Sequence, residues 1–350
     1  MTMTVTSVGP QGYGNYSFER ARGAPELRPS QEQASHVLCP GFVDIHIHGA
    51  YGTDFMTASK EQMLALCERL GSVGYETLLP TTVTAPLSDV KAALANLPAH
   101  PMIGGFHLEG PFISAKHPGA QPPEHIVKPS SASDEWKDVF EDPRLKVVTL
   151  APETDGSLGL VKFLSERGVI VSMGHTDATY GQAEDGFENG ASHTTHTFNA
   201  MRGLHHREAG VVGYALLHDA VACEIIYDRR HVSRPAAELL FRYKPAGAVI
   251  AVSDSTLATG LPAGETITMW GHECVTSPGE VRLKSSGALA GSAITLLDAF
   301  RNISEDFGTE AAVRACSINP RQALRLQAPP SIYLLFDLRH ELVERIVTKD

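Results

Sequence analysis

Short apolar runs rich in β-branched residues recur along the chain, near 42–47, 76–83, 102–108, 145–151, 169–174, 191–196, 221–227 and 248–253. Between most of them apolar positions return every three or four residues, as in Lys60-Glu-Gln-Met-Leu-Ala-Leu-Cys-Glu-Arg-Leu70. That spacing predicts helices over 60–73, 87–97, 155–168, 179–189 and 233–243. The strand centres advance by roughly 22 to 42 residues, the span of a βα unit. Eight such units over 41–300 predict an α/β chain closed into a (β/α)8 TIM-type barrel. An open doubly wound sheet is the alternative, and it fits less well because the first unit carries no Gly-x-Gly-x-x-Gly phosphate fingerprint.

The two ends follow other rules. Residues 8–35 are rich in Gly, Pro, Ser and Gln, with few apolar runs, so partial disorder is expected there. Ile332-Tyr-Leu-Leu-Phe336 and Leu342-Val-Glu-Arg-Ile-Val347 read as the two strands of a hairpin. The expected division is a catalytic barrel over 41–325 and a small, reduced β-rich flanking domain built from 1–40 and 326–350.

Composition narrows the chemistry. With 350 residues, 43% of them hydrophobic, the chain can bury a large core. A run of 18 or more apolar residues is missing, which predicts no membrane partner. The formal net charge of -11 disfavours nucleic acid, whose phosphates need a basic face. Five scattered cysteines without a Cys-x-x-Cys pair, and a start lacking the basic and apolar stretches of a secretory signal, predict buried thiols in the cytoplasm. Sixteen histidines, several of them paired, point to metal chemistry.

In such a barrel chemistry sits at the C-terminal ends of the strands. The metal-competent residues of this chain fall there. His46 and His48 close the first strand, His107 and Glu109 the third, His175 follows the fifth, His193 and His196 end the sixth, and Asp254 ends the eighth. Alternation along a strand puts His46 and His48 on one face, where both can reach one cation. His193 and His196 are three apart and cannot both face inward, so one ligand and one neighbour are expected. Singly each residue has an ordinary reading: Glu109 as a solvated loop carboxylate, His175 as a hydrogen-bonded loop histidine, Asp254 as the cap of the next turn. Together they form a set of imidazoles and carboxylates without thiolate, suited to Zn, Fe, Mn, Co or Ni. Six ligands exceed one tetrahedral ion, so His46, His48, Glu109, His175, His196 and Asp254 predict one or two divalent ions, with Glu109 bridging in the two-ion case. Such a site makes a nucleophile of water at neutral pH, and Asp254 can carry its proton to a departing amine.

Pro40-Gly-Phe-Val-Asp-Ile-His-Ile-His-Gly49, His107-Leu-Glu-Gly-Pro-Phe-Ile-Ser114, Gly174-His-Thr-Asp-Ala178 and Thr195-His-Thr-Phe-Asn-Ala-Met201 strongly resemble the amidohydrolase superfamily. Ser253-Asp254 and Gly287-Ala-Leu-Ala-Gly-Ser-Ala-Ile-Thr295 continue the match, which covers roughly 40–326. Within that superfamily the chain looks like the branch that deacetylates amino-sugar phosphates. The resemblance implies removal of the acetyl group from N-acetylglucosamine 6-phosphate, giving glucosamine 6-phosphate and acetate. It implies that Glu109, His175 and His196 hold the principal metal, with Zn or Fe foremost. Asp254 would be the base and then the acid, Asn199 and Ala200 would contact the sugar phosphate, and Arg207 and His231 would bind the phosphate. A homodimer is the expected assembly. In members that work with one metal a histidine follows the Gly-Ala of the third-strand loop and polarises the acetyl carbonyl; here Gln121 stands in that place. Because this chain keeps His46 and His48, a second ion is expected to supply the missing electrophile. Other amidohydrolase substrates, N-acyl amino acids or cyclic amides, are the alternative enzyme reading. A non-catalytic sugar-binding barrel is disfavoured because no ligand is lost.

Overall fold

Parallel strands are covered on both faces, so they read as continuous apolar runs, and this chain follows that rule. The structure is a computed structural model that describes residues 2–19, 25–132 and 134–348. Eight parallel strands pair in chain order: Phe42–Ile47, Tyr75–Thr82, Phe106–Glu109, Leu145–Leu150, Ile170–Met173, His193–Thr194, Ala222–Ile225 and Val249–Ala251. Past the eighth strand the backbone turns onto the first. Asp254 N–H donates to the carbonyl of His46 (2.9 Å) and His48 N–H donates to that of Ser255 (2.8 Å), which brings the barrel round. The predicted (β/α)8 architecture is therefore observed.

Val43, Ile45, Leu79, Val147, Ile226, Ile250 and Val252 fill the barrel interior. A larger apolar layer lies beneath the helices. Helix Lys60–Ser72 shows how they dock: Ser59 and Gln62 cap its start reciprocally, and Met63, Leu66, Cys67 and Leu70 bury one stripe. Helices Leu87–Asn96, Ser157–Ser165, Tyr180–Glu188 and Arg234–Tyr243 lie within a few residues of their predicted bounds.

The termini form a second sheet, in the order Leu342–Val347, Ile332–Phe336, His36–Pro40, Thr2–Gly9, Gly12–Glu19, Leu27–Pro29. The C-terminal hairpin has the predicted bounds. The expectation of a partly disordered N-terminus is corrected for most of 8–35. Thr2–Gly9 and Gly12–Glu19 pair along their whole length, and Val5, Tyr16 and Phe18 bury against Leu38 and Leu335. Residues 20–24 of that stretch lie outside the described residues.

The eighth unit differs from the simple repeat expected up to 300. A four-stranded antiparallel sheet, Thr266–Met269, His272–Ser277, Glu280–Leu283 and Leu289–Ser292, is inserted before helix Leu296–Phe307. Its last strand returns to the barrel mouth, where Ser292 N–H donates to the carbonyl of Asp254 at 2.8 Å. Among the described residues no helix is long and apolar enough to cross a membrane. All five cysteines are buried and unpaired, as expected.

Candidate metal centre and active site

The barrel mouth gathers six side chains able to ligate a metal into two groups of three. His46 Nε2, His48 Nε2 and Asp254 Oδ1 stand 3.2–3.5 Å from one another. Glu109 Oε1, His175 Nε2 and His196 Nε2 stand 3.1–3.2 Å apart. Ligands about 2.0–2.1 Å from one tetrahedral ion lie about 3.3 Å from each other, so both groups have the spacing of an ion's coordination shell. Glu109 joins them, with Oε2 at 3.1 Å from His48 Nε2 and Oε1 at 3.3 Å from His46 Nε2.

The tautomers agree with this reading. His48 Nδ1 donates to the carbonyl of Thr81 (3.2 Å) and His175 Nδ1 to that of His117 (2.9 Å). His46 Nδ1 faces the carboxylate of Glu224 at 3.3 Å. Each such contact fixes the proton on Nδ1 and leaves the Nε2 lone pair aimed into the cluster. Lone pairs of His175 and His196 facing across 3.1 Å repel unless a proton or a cation lies between them. Glu109, Asp254 and Glu224 are buried carboxylates whose ionic contacts among the described residues are all to histidine, with none to Lys or Arg. Buried anions need compensating charge. The donor set fits divalent cations.

Without a cation, protons take up that role. Burial opposes a charge on His46 and His48, but the Glu109 and Asp254 carboxylates outweigh it, holding His46 well above its usual range and pushing His48 up to about 9. Burial equally opposes charge on Glu109 and Asp254, yet the surrounding imidazoles hold both below the usual carboxylate range. A metal entering this cluster displaces protons from the histidines.

Local backbone geometry aims these groups. His175, His196 and Asp254 have φ of 45°, 29° and 46°, a conformation that non-glycine residues hold only when their surroundings enforce it. At Gly291 (φ 61°) an added Cβ would meet Thr256 Cγ2 at 2.5 Å and the Asp254 carbonyl at 3.1 Å, so only glycine lets the inserted sheet seat against Asp254. Alternation alone does not place both His46 and His48 in the mouth, because Val43 and Ile45 already fill the interior below. The pairing of the first and second strands shifts register between Asp44 and Ile47, and the phase changes there.

Of the other strand-end histidines, His107 is no ligand. Its Nδ1 donates to the Ile45 carbonyl (3.0 Å), its Nε2 meets Thr149 Oγ1 (2.8 Å), and its ring edges that of His46 at 4.6 Å. Burial and the neighbouring His46 hold it well below the usual imidazole range, neutral. His193 and His196 part company: His196 lies in the cluster, while His193 contacts Ser192 Oγ at 2.8 Å and stays outside it.

A cavity of about 180 Å³ opens on the cluster, lined by His48, Glu109, His175, His196 and Asp254 and by Gln121, Asn199, Ala200 and His231. His231 Nδ1 is held by buried Asp228 at 2.7 Å, which turns Nε2 outward. Gln121 is gripped at both ends, its Nε2 donating to Glu109 Oε2 and its Oε1 accepting from Thr84 N–H, each at 2.6 Å. Arg207 is not brought to this cavity; it lies exposed in the loop after the sixth strand and is absent from the lining. Three contributors escape a reading of the strand-end motifs: Glu224, Asp228, and Trp270 of the inserted sheet. Trp270 lines the cavity, packs edge-on against His48 at 5.1 Å and donates its indole N–H to Asp54 at 2.9 Å. The one signal for Glu224 is a lone charge inside the apolar run Val221-Ala-Cys-Glu-Ile-Ile226.

A sequence profile of the amidohydrolase family matches residues 37–328. N-acetylglucosamine-6-phosphate deacetylase of Bacillus subtilis (strain 168) is 40% identical over 301 residues, 83% of this chain and 75% of the relative. N-acetylgalactosamine-6-phosphate deacetylase of Escherichia coli O157:H7 is 35% identical, covering 84% of this chain and 79% of the relative. The crystal structure of N-acetylglucosamine-6-phosphate deacetylase from Thermotoga maritima superposes with a TM-score of 0.88 at 31% identity, over 99% of this chain and 98% of that one.

Proposed function

The chain belongs to the amidohydrolase family, and we propose that it is a metal-dependent deacetylase of N-acetylglucosamine 6-phosphate, releasing acetate and glucosamine 6-phosphate. The observation that carries this reading is the pair of three-ligand groups joined by Glu109, with Asp254 facing the adjoining cavity. We assign one divalent ion to Glu109, His175 and His196 and a second to His46, His48 and Asp254. Zn or Fe suits the imidazole and carboxylate donors best.

Bound there, divalent cations lower the pKa of water from about 15.7 to near 7 and polarise the acyl oxygen. The residues do the rest. Asp254, whose carboxylate faces the cavity, accepts the proton of the attacking water. As the new C–O bond forms and the amide C–N bond breaks, the same carboxyl returns that proton to the departing amine, which leaves neutral. His231, oriented by Asp228, faces the cavity as a donor for the phosphate. Asn199 and Ala200 bind the sugar phosphate beside it. Gln121 secures Glu109 between the two groups. Arg207, outside the cavity within one chain, is assigned no contact here. A homodimer and a cytoplasmic setting complete the reading.

The test is acetate release from N-acetylglucosamine 6-phosphate, with metal quantified on the same sample and N-acetylgalactosamine 6-phosphate run alongside. Release from the gluco substrate supports the proposal. Preference for the galacto substrate moves the assignment to the other named activity among the relatives. No release from either with any divalent ion overturns it.

A further inference from the structure

Glu224 is fully buried on the seventh strand, Ala222–Ile225, and lies outside the cavity lining. Its Oε2 is 3.3 Å from His46 Nδ1 and 3.4 Å from the backbone nitrogen of His196, one ligand from each group. Its Oε1 has no hydrogen-bond partner among the described residues. A neutral acceptor would satisfy the His46 N–H and the His196 N–H equally well. A full negative charge with one oxygen left bare is costly in a barrel interior and needs a reason.

We infer that Glu224 is a positioning residue that commits the His46–His48–Asp254 group to a second divalent ion. A carboxylate behind an imidazole fixes its tautomer, makes its far nitrogen a stronger donor and adds anionic charge that a cation repays. Among the described residues, only the group containing His46 has such a carboxylate. In the other group His175 leans on a carbonyl oxygen and the Nδ1 of His196 has no partner. The Oε2 contact to His196 N–H also supports that residue's left-handed backbone, so Glu224 braces both groups while tuning one.

The inference rests on the two-ion reading above, and the experiment separates the two. The metal-loaded wild-type protein and Glu224→Gln are dialysed against zinc buffered by a chelator, and ions per chain are counted over a range of free zinc. His46→Ala marks the loss of the second ion. The expected result is two ions in the wild type and, in Glu224→Gln, an unchanged first ion with a second bound about 10–100-fold more weakly and restored at high zinc. Wild-type affinity for both ions in Glu224→Gln overturns the Glu224 assignment alone. Loss of both ions from that variant makes Glu224 a general structural residue and overturns it too. One ion in the wild type at every zinc concentration overturns the two-ion reading together with the inference.

Discussion

His193 is one of the strand-end histidines that the cluster leaves out, and it offers a quantitative check on the interior. Its side chain is buried, its Nδ1 meets Ser192 Oγ, and its Nε2 has no partner among the described residues. Burial alone pushes its pKa down from 6.5 to about 4. Between those values the unfolded chain binds a proton that the folded chain refuses, so stability rises with pH across that window. The contribution is complete above pH 6.5 and lost progressively towards pH 4. At about 1.4 kcal/mol per unit, the loss between pH 7.5 and pH 5 comes to about 2 kcal/mol. His193→Asn retains an acceptor near Ser192 and cannot titrate. His107, also held neutral by burial, titrates alike in both proteins and cancels. Urea unfolding of both metal-loaded proteins at pH 7.5 and pH 5 measures the difference. The wild type should lose about 2 kcal/mol more than the variant over that interval. Equal losses would show that His193 is hydrated or protonated in the folded state, and the burial argument would fail.

Asp254→Asn should lower kcat about 10²–10⁴-fold while substrate still binds, because the amide cannot carry a proton; activity within a few-fold of wild type removes Asp254 from proton transfer. Asp228→Asn loosens His231, and the expected outcome is a KM for the 6-phosphorylated substrate raised about 10-fold or more with kcat nearly kept. An equal rise for the unphosphorylated sugar amide would refute a phosphate role for His231. Trp270→Phe keeps the ring against His48 but strands an oxygen of buried Asp54, so urea unfolding should show a loss of about 1–3 kcal/mol. No loss would mean that water replaces the indole N–H.

The barrel was legible because each of its strands is buried on both faces and announces itself as an apolar run. The inserted sheet was not. Thr266–Met269 and His272–Ser277 bury only Met269, Cys274 and Thr276, so their sequence resembles a loop. The N-terminal hairpin was hidden for a related reason. Thr, Ser and Gly make up much of Thr2–Gly9 and Gly12–Glu19, and the strand beside Thr2–Gly9, His36–Pro40, is not its neighbour in sequence. The cluster of metal-competent side chains was legible because strand ends are fixed points in this architecture. Glu224 was not, since its meaning depends on His46, 178 residues away.

Gln121 shows where position in a motif and position in space part company. Standing where one-metal members carry a histidine, it reads as a hydrogen-bond donor to the acyl oxygen. In the structure its carbonyl is held by Thr84 N–H and its amide is committed to Glu109, both at 2.6 Å. One amide proton remains uncommitted, and an uncharged N–H is a weak electrophile compared with a cation. The glutamine lines the cavity, but its two strongest contacts are to Glu109 and Thr84. It holds the carboxylate that joins the two groups, as Glu224 holds the imidazole of one of them. His46 and His48 are thus part of a supported set. Gln121 steadies Glu109 against His48, Glu224 backs His46, and Trp270 packs on His48, and these contacts meet beside Asp254, where we propose the second ion.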